Sequence, residues 1–437
     1  MKMLVIHQNF PGQFAHLVRT WSQRPGWDVR GLGRDTAPGL PGFNALTRYA
    51  PARAVRSNQH AYLRQMEDAT LHGQATARAM LAMRQTGFVP DVIVAHPGWG
   101  ETLYAKDVFP DSRLVHLCEW FYSADGADVG FDPEFPVSFD TRARIRTWNA
   151  LHTLNLTHCD VAVSPTQWQK SRHPEVFHPK IRVQHEGIAT HELGPDPDAK
   201  VTTPSGLVLG GGDTDRPVLT YVARNLEPYR GFHIFMRALE RIQRIDSRCH
   251  ALIVGGDEVS YGQRPPVNGG TKSATASNWR EHMLTQVKLD PTRTHFMGRL
   301  PREQYLRALQ VSNAHVYLTY PFVLSWSLLE AMGCGAPIVA SDTAPVREVM
   351  RDGENGRLVD FFDADAIADA AIQTMHSETA NVGWRMQAMA DAQSYALGAG
   401  VSGYDDLLQM PLPEAIPGQH AQHVSRAFHA ATAATGT

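Results

Sequence analysis

A carboxylate in an apolar helical stretch and two arginines near a glycine have the most chemistry to offer. Glu330 stands in Ser327-Leu-Leu-Glu330-Ala-Met-Gly-Cys-Gly335-Ala-Pro337-Ile-Val-Ala-Ser341-Asp342. That pattern predicts a helix, a glycine turn and a strand ending in Ser-Asp. A carboxylate among Leu328, Leu329, Ala331 and Met332 needs partners if it is buried. A ribose diol offers two donors to one carboxylate; the plainer alternative is a solvated Glu on an ordinary helix–turn–strand unit. Arg224 and Arg230 lie in Tyr221-Val-Ala-Arg224-Asn-Leu-Glu227-Pro-Tyr-Arg230-Gly231, between a strand and a helix. Paired guanidinium groups there can hold an anion through forked hydrogen bonds, or Glu227 can claim them in a surface salt bridge.

The first half of the chain offers a second group. Asn9-Phe-Pro-Gly12-Gln13 follows an apolar run, and Gly12 lets the backbone approach a phosphate or sugar closely. A plain strand-to-helix turn has the same composition. His96-Pro-Gly-Trp99-Gly100 follows another such run. There a sugar-stacking or acceptor role for Trp99, with His96 beside it, competes with a structural turn. Asp125, Asp128, Asp132 and Glu134, interleaved with Gly126 and Gly130, form an acidic loop suited to sugar hydroxyls, and its spacing is not that of an EF-hand.

These residues need a scaffold that presents the turns after strands. Short apolar runs at 3–6, 92–95, 114–117, 161–163 and 181–183 alternate with helical spacing such as Phe14, Leu17, Val18 and Trp21. The alternation restarts at 218–222, followed by a predicted helix Phe232–Ile245 and runs at 251–254, 314–318 and 337–340. Such alternation implies parallel, doubly wound sheets, whose ligands lie beyond the carboxyl ends of the strands. Gly- and Pro-rich texture between 190 and 216 marks a seam. The expected division is a domain at 1–195, a linker at 196–216, a second domain at 217–385, and a helical segment with a weakly ordered tail at 386–437. Residues 260–278 are expected to be a polar loop.

Composition narrows the class. Apolar residues are 43% and charged ones 19% of 437, a globular and not a disordered profile. The formal charge of -3 gives no general attraction to nucleic acid. Four scattered cysteines without C-x-x-C exclude a disulfide scaffold and argue against a zinc ribbon. No apolar run approaches the ~20 residues of a membrane span, and the opening residues do not read as a signal peptide, so a cytoplasmic location is expected. Asp213-Thr-Asp215 and Asp363-Ala-Asp365 match a metal-binding D-x-D pattern, although Asp363 more simply caps a helix over 364–375. Residues 1–70 hold nine Lys/Arg against four Asp/Glu; Arg48, Arg53, Arg56 and Arg64 there are a candidate docking face for phosphate or an anionic membrane.

Taken together, Glu330, Gly335-Ala-Pro337, Ser341-Asp342 and the Arg224–Arg230 turn resemble the retaining nucleotide-sugar glycosyltransferases of family four. The resemblance covers residues 1–395 and is sharpest over 218–360. It implies the GT-B architecture, two Rossmann-like α/β domains facing across a cleft. It further implies a nucleotide-sugar donor bound by Gly12, Arg224, Arg230 (where a Lys is usual), the backbone of Ser325 and Trp326 at a helix start, and Glu330 on the ribose. The loop 296–300 would lie near the base. Glu119 takes the place of a common His near the anomeric carbon, where it can position the acceptor hydroxyl or stabilise an oxocarbenium-like centre. Glu119, Arg224 and Arg230 are thus the catalytic candidates, and His96, Trp99 and Asp128 the acceptor-binding ones. Phe322 stands where a second Glu is usual, eight positions before Glu330.

The implied activity is retaining transfer of a hexose-type sugar to a hydroxyl of a glycan, a lipid-linked molecule or a small molecule. No metal or other cofactor and no nucleic-acid partner are expected, and peripheral membrane contact fits the basic stretch. A sugar-nucleotide epimerase of the same architecture and a non-catalytic nucleotide- or glycan-binding derivative are the alternatives.

Overall fold

The computed structural model describes residues 1–266 and 276–409. The middle of the expected polar loop, 267–275, and the expected tail from 410 lie outside the described residues.

Seven parallel strands build the first sheet: β1 (Lys2–Ile6), β2 (Asp28–Arg34), β3 (Leu46–Tyr49), β4 (Val92–Ala95), β5 (Arg113–Leu117), β6 (Val161–Ser164) and β7 (Ile181–Val183). Their spatial order is β3-β2-β1-β4-β5-β6-β7. After a short antiparallel hairpin, β8 (Lys200–Thr202) with β9 (Val208–Gly210), a second parallel sheet follows. It comprises β10 (Val218–Asn225), β11 (His250–Gly256), β12 (Thr294–Gly298), β13 (Ala314–Tyr317), β14 (Ile338–Ser341) and β15 (Arg357–Val359), ordered β12-β11-β10-β13-β14-β15. Met3, Leu4, Val5 and Ile6 are all fully buried, as parallel strands covered by helices on both faces require. In each sheet the strand order reverses once, between β1 and β4 and between β10 and β13, and ligands bind at such switch points.

The helices Phe232–Ile245 and Ala364–Met375 occur where the apolar spacing predicts them. Asp363 caps the latter by accepting the Ala366 amide at 2.8 Å. The seam departs from a plain linker. Val201 and Leu209 of the hairpin are buried against the second sheet's core, which holds it in place.

Several segments tie the halves together, two of them through buried apolar residues. The helix Leu397–Gln409 returns to the first half, where Tyr404 and Leu407 share a core with Met3, Val5 and Trp21. In the opposite sense, the segment after Glu119 leaves the first sheet and seats Trp120 and Ala127 in the core of the second half. Among the described residues no helix is long and apolar enough to cross a membrane.

Candidate active site between the two sheets

A cavity of about 500 Å³ opens between the carboxyl ends of the two sheets. His96 follows β4 and Glu119 lies just beyond β5; Arg224 ends β10, Tyr261 follows β11, Arg299 follows β12 and Phe322 follows β13.

On the first-half side, hydrogen bonds fix the protons. His96 Nδ1 accepts the Gly98 amide at 3.2 Å, so its Nε2 carries the proton and faces Glu119 Oε2 at 3.4 Å. Gln13 Nε2 donates to the other Glu119 oxygen at 3.3 Å. Gln13 Oε1 in turn accepts from His7 Nε2 at 2.8 Å, and His7 Nδ1 accepts the Asn9 amide at 2.9 Å. Burial, reinforced by the neighbouring His96, lowers His7 to about 3, which keeps it neutral. Burial works to raise Glu119, but the hydrogen bonds from His96 and Gln13 outweigh it and hold the carboxyl below its usual range. Glu119 is therefore an ionised carboxylate, a third exposed, in the cavity wall. Trp99 stacks on the His96 ring with centroids 4.5 Å apart.

On the second-half side, Arg224 is exposed, lines the cavity and forms no salt bridge or side-chain hydrogen bond among the described residues. Glu227 does not claim it. Its carboxylate accepts the amides of Ser260 and Tyr261 at 3.0 and 2.8 Å, pinning the loop after β11, and burial raises it to about 7. Arg299 binds Asn225 Oδ1 at 2.9 Å and Glu258 at 2.6 Å on the same wall. Phe322 completes the wall, edge-on to Trp120 at 4.9 Å and Tyr261 at 5.0 Å.

Several sequence-derived candidates stand elsewhere. Arg230 does not line the cavity; it lies behind Tyr261, with Nη1 spent on Thr319 Oγ1 at 2.9 Å and the Val323 carbonyl at 3.2 Å. Glu330 is 8% exposed and does have partners: Arg302 takes one oxygen and the Tyr305 hydroxyl the other at 2.5 Å. A diol would have to share that carboxylate. The expected grouping of Arg224, Arg230 and Glu330 around one space is thus replaced by Arg224 alone in this cavity. Ser325 caps the helix Trp326–Gly333, and the Trp326 ring packs against the second-half core. Gly12 is outside the cavity too. With φ +53 and a built Cβ only 2.2 Å from the His7 ring, it makes room for that imidazole and not for a ligand.

Asp128 faces a neighbouring cavity with Tyr229, Trp279 and Tyr320, and burial raises it to about 6. Asp132 and Glu134 of the acidic loop are engaged by His233, Tyr320 and Arg237. The basic stretch does not form one free face: Arg48 donates to the carbonyls of Asp35 and Ala37, and Arg53 pairs with Glu67 at 2.6 Å. Asp213 is paired with Arg216. Sequence reasoning did not single out His7, Gln13, Tyr261, Arg299, Arg302 or Tyr305. The first four sit in or beside turns after strands and were reachable by that rule; Arg302 and Tyr305 carry no local signal.

Residues 25–193 match the model of the glycosyl transferase family 4 group, and residues 216–377 match that of glycosyl transferases group 1. The chain belongs to glycosyltransferase family four. A GDP-mannose-dependent alpha-(1-6)-phosphatidylinositol monomannoside mannosyltransferase of Mycolicibacterium smegmatis is 28% identical to this family-four chain over 222 residues, 48% of the chain and 52% of that protein. Its counterpart in Mycobacterium tuberculosis is 23% identical over 279 residues, 61% and 63% of the two. The chain thus spans between half and two thirds of the length of these curated relatives. Among solved structures, sucrose-phosphate synthase from Thermosynechococcus elongatus superposes with TM-score 0.68 at 14% identity, covering 93% of this chain and 98% of that one. Anabaena HepE in complex with UDP-glucose gives 0.63 at 15%, covering 93% and 99%. At such identities the likeness is one of fold, the two-domain GT-B architecture.

Proposed function

We propose that the protein moves a hexose-type sugar from a nucleoside-diphosphate donor to a hydroxyl acceptor, with retention at the anomeric carbon and without a metal ion. The observation that carries this reading is the unpaired Arg224 guanidinium sharing one cavity with the Glu119–His96 pair. Arg224 meets the donor diphosphate and stabilises the charge that grows on it as the bond from the anomeric carbon to the phosphate oxygen breaks. That oxygen keeps the electron pair. The acceptor hydroxyl oxygen bonds the same face of the carbon, and its proton passes to the leaving phosphate, so no protein nucleophile is needed. Glu119 holds the acceptor hydroxyl and faces the positive charge developing on the sugar. Glu330, whose carboxylate Arg302 and Tyr305 already engage, is the candidate to share an oxygen with the ribose. The GDP-mannose-dependent phosphatidylinositol monomannoside mannosyltransferase relatives favour a GDP-linked hexose and a lipid-linked acceptor, and the HepE complex favours a UDP-linked hexose.

Calorimetric titration with UDP, GDP and ADP tests the donor side. One of them binds the wild type, and Arg224→Ala weakens it by about 1.5–3 kcal/mol, the range for a hydrogen bond to a charged group, with an unchanged melting temperature. Equal affinity in wild type and variant would sink the assignment. Incubation with the matching nucleotide-sugars separates transfer, which releases nucleotide, from epimerisation, which does not.

A further inference from the structure

The cavity is lopsided in charge. Its second-half wall contributes Arg224 and Arg299, whereas its first-half wall, running from His96 through Tyr122 to His173, contains no lysine or arginine. That wall is built of rings instead: Trp99, Tyr122, Trp148, His152 and His173. Trp148 and His152 sit one turn apart on the inner face of the helix Phe139–His158, edge to face at 5.4 Å. Asn155, the next residue on that face, donates to the Pro97 carbonyl at 3.0 Å and braces the turn that carries Trp99.

Both imidazoles have spare capacity. Neither ring nitrogen of His152 has a hydrogen-bond partner among the described residues, and its Nε2 is shut away from solvent. His173 is 4% exposed and spends Nδ1 on the Gln169 carbonyl at 2.9 Å, which leaves Nε2 as a bare lone pair. Burial lowers both rings, to about 3 and about 4, so they are neutral at physiological pH. Among the described residues of this wall the only formal charge is then the Glu119 carboxylate, since His96, whose Nδ1 accepts an amide, is neutral. An anion placed here would meet that charge with no cation to offset it. Aromatic faces and neutral imidazoles suit the C–H faces and hydroxyls of an uncharged ring.

We propose that this half of the cavity is the acceptor subsite and that it takes an uncharged polyhydroxylated ring, a neutral sugar or cyclitol unit, whose hydroxyls meet His152 and His173. The inference rests on the transfer reading above and names its acceptor class. A charged group elsewhere on the acceptor lies outside the subsite.

The test uses the full chain saturated with whichever of UDP, GDP or ADP binds it. Glucose, mannose and myo-inositol are titrated by saturation-transfer NMR against glucose 6-phosphate, mannose 6-phosphate and glucuronate. At least one neutral ring binds about tenfold or more tightly than its phosphorylated or carboxylated counterpart, a difference of one unpaired charge. His173→Ala and His152→Phe weaken that ring several-fold and leave nucleotide affinity unchanged. His152→Arg, which adds the missing cation, shifts preference toward the phosphorylated ring. The proposal is overturned if charged rings bind as well as neutral ones, or if folded variants bind neutral rings like the wild type. Loss of all nucleoside-diphosphate binding would instead remove the transfer reading itself, so the two failures are distinguishable.

Discussion

Glu119 is kept ionised by its neighbours against the pull of burial. His96 contributes most to that, through its Nε2–H, with Gln13 second. A carboxyl held below its usual range stays charged as the pH falls, so transfer by the wild type persists through pH 5. Replacing His96 with Gln removes the largest downward influence and leaves burial to raise Glu119. The acid limb of the pH–rate profile then moves to higher pH. Glu119→Gln lowers kcat by roughly 10²–10³ whatever the pH, the range for losing one group that stabilises charge in the transition state. Identical acid limbs in wild type and His96→Gln would show that His96 does not set the Glu119 charge. At this scale the sequence was only partly legible. Glu119 and His96 could be read from the turns they occupy, but their pairing depends on β4 and β5 lying side by side. Arg230 shows the limit of such reading, because a cation near a glycine turn looks alike whether it faces a ligand or, as its Nη1 does here, Thr319 and a carbonyl.

Elements of the first half are pinned by a buried carboxyl that plays no part in the cavity. Glu101, fully buried, accepts the Tyr49 hydroxyl of β3 at 2.7 Å, and the same hydroxyl meets His72 of the helix Arg64–Gln85 at 2.9 Å. Burial, only partly offset by the bond from Tyr49, raises Glu101 to about 7. The folded state therefore holds a proton that the unfolded chain releases near pH 4.5. Stability is full below that value and falls as the pH rises toward 7, by roughly 1–3 kcal/mol from this group. Urea unfolding at pH 5 and pH 8 shows the decline in the wild type. Glu101→Gln, whose amide takes the place of an oxygen that already lacks a partner, loses this part of the pH dependence. A variant that keeps the full decline would assign the effect elsewhere. The elements themselves were the most legible level. Apolar runs buried on both faces and a helix with an Asp cap follow from residues close in sequence. β3, with a polar and exposed centre at Thr47 and Arg48, and the hairpin β8–β9 do not, since neighbouring elements decide them.

At the scale of the whole molecule the cleft is spanned by residues 120–137, and that span begins one residue after Glu119. Phe131 packs on Tyr320 at 5.1 Å and Phe361 at 5.2 Å. Asp132 Oδ2 accepts His233 Nε2 at 2.8 Å and the Tyr320 hydroxyl at 2.7 Å, all three residues being nearly sealed from solvent. The acidic loop that composition suggested for sugar hydroxyls is in part this anchor, a role visible only once the second half is folded. Asp132→Ala strands two buried donors, each costing about 1–3 kcal/mol, so the variant unfolds at distinctly lower denaturant. Glu134→Ala breaks a half-exposed pair with Arg237 and a longer contact with His233 at 4.0 Å, and changes stability by less than about 1 kcal/mol. Because the anchored span adjoins Glu119 while Arg224 belongs to β10, loosening it lowers the transfer rate more than nucleoside-diphosphate affinity. Denaturation curves, kcat and nucleotide titration of the two variants test this together. An Asp132→Ala protein that keeps its stability, or loses nucleotide affinity in step with kcat, would mean that the span does not hold Glu119 to the donor side.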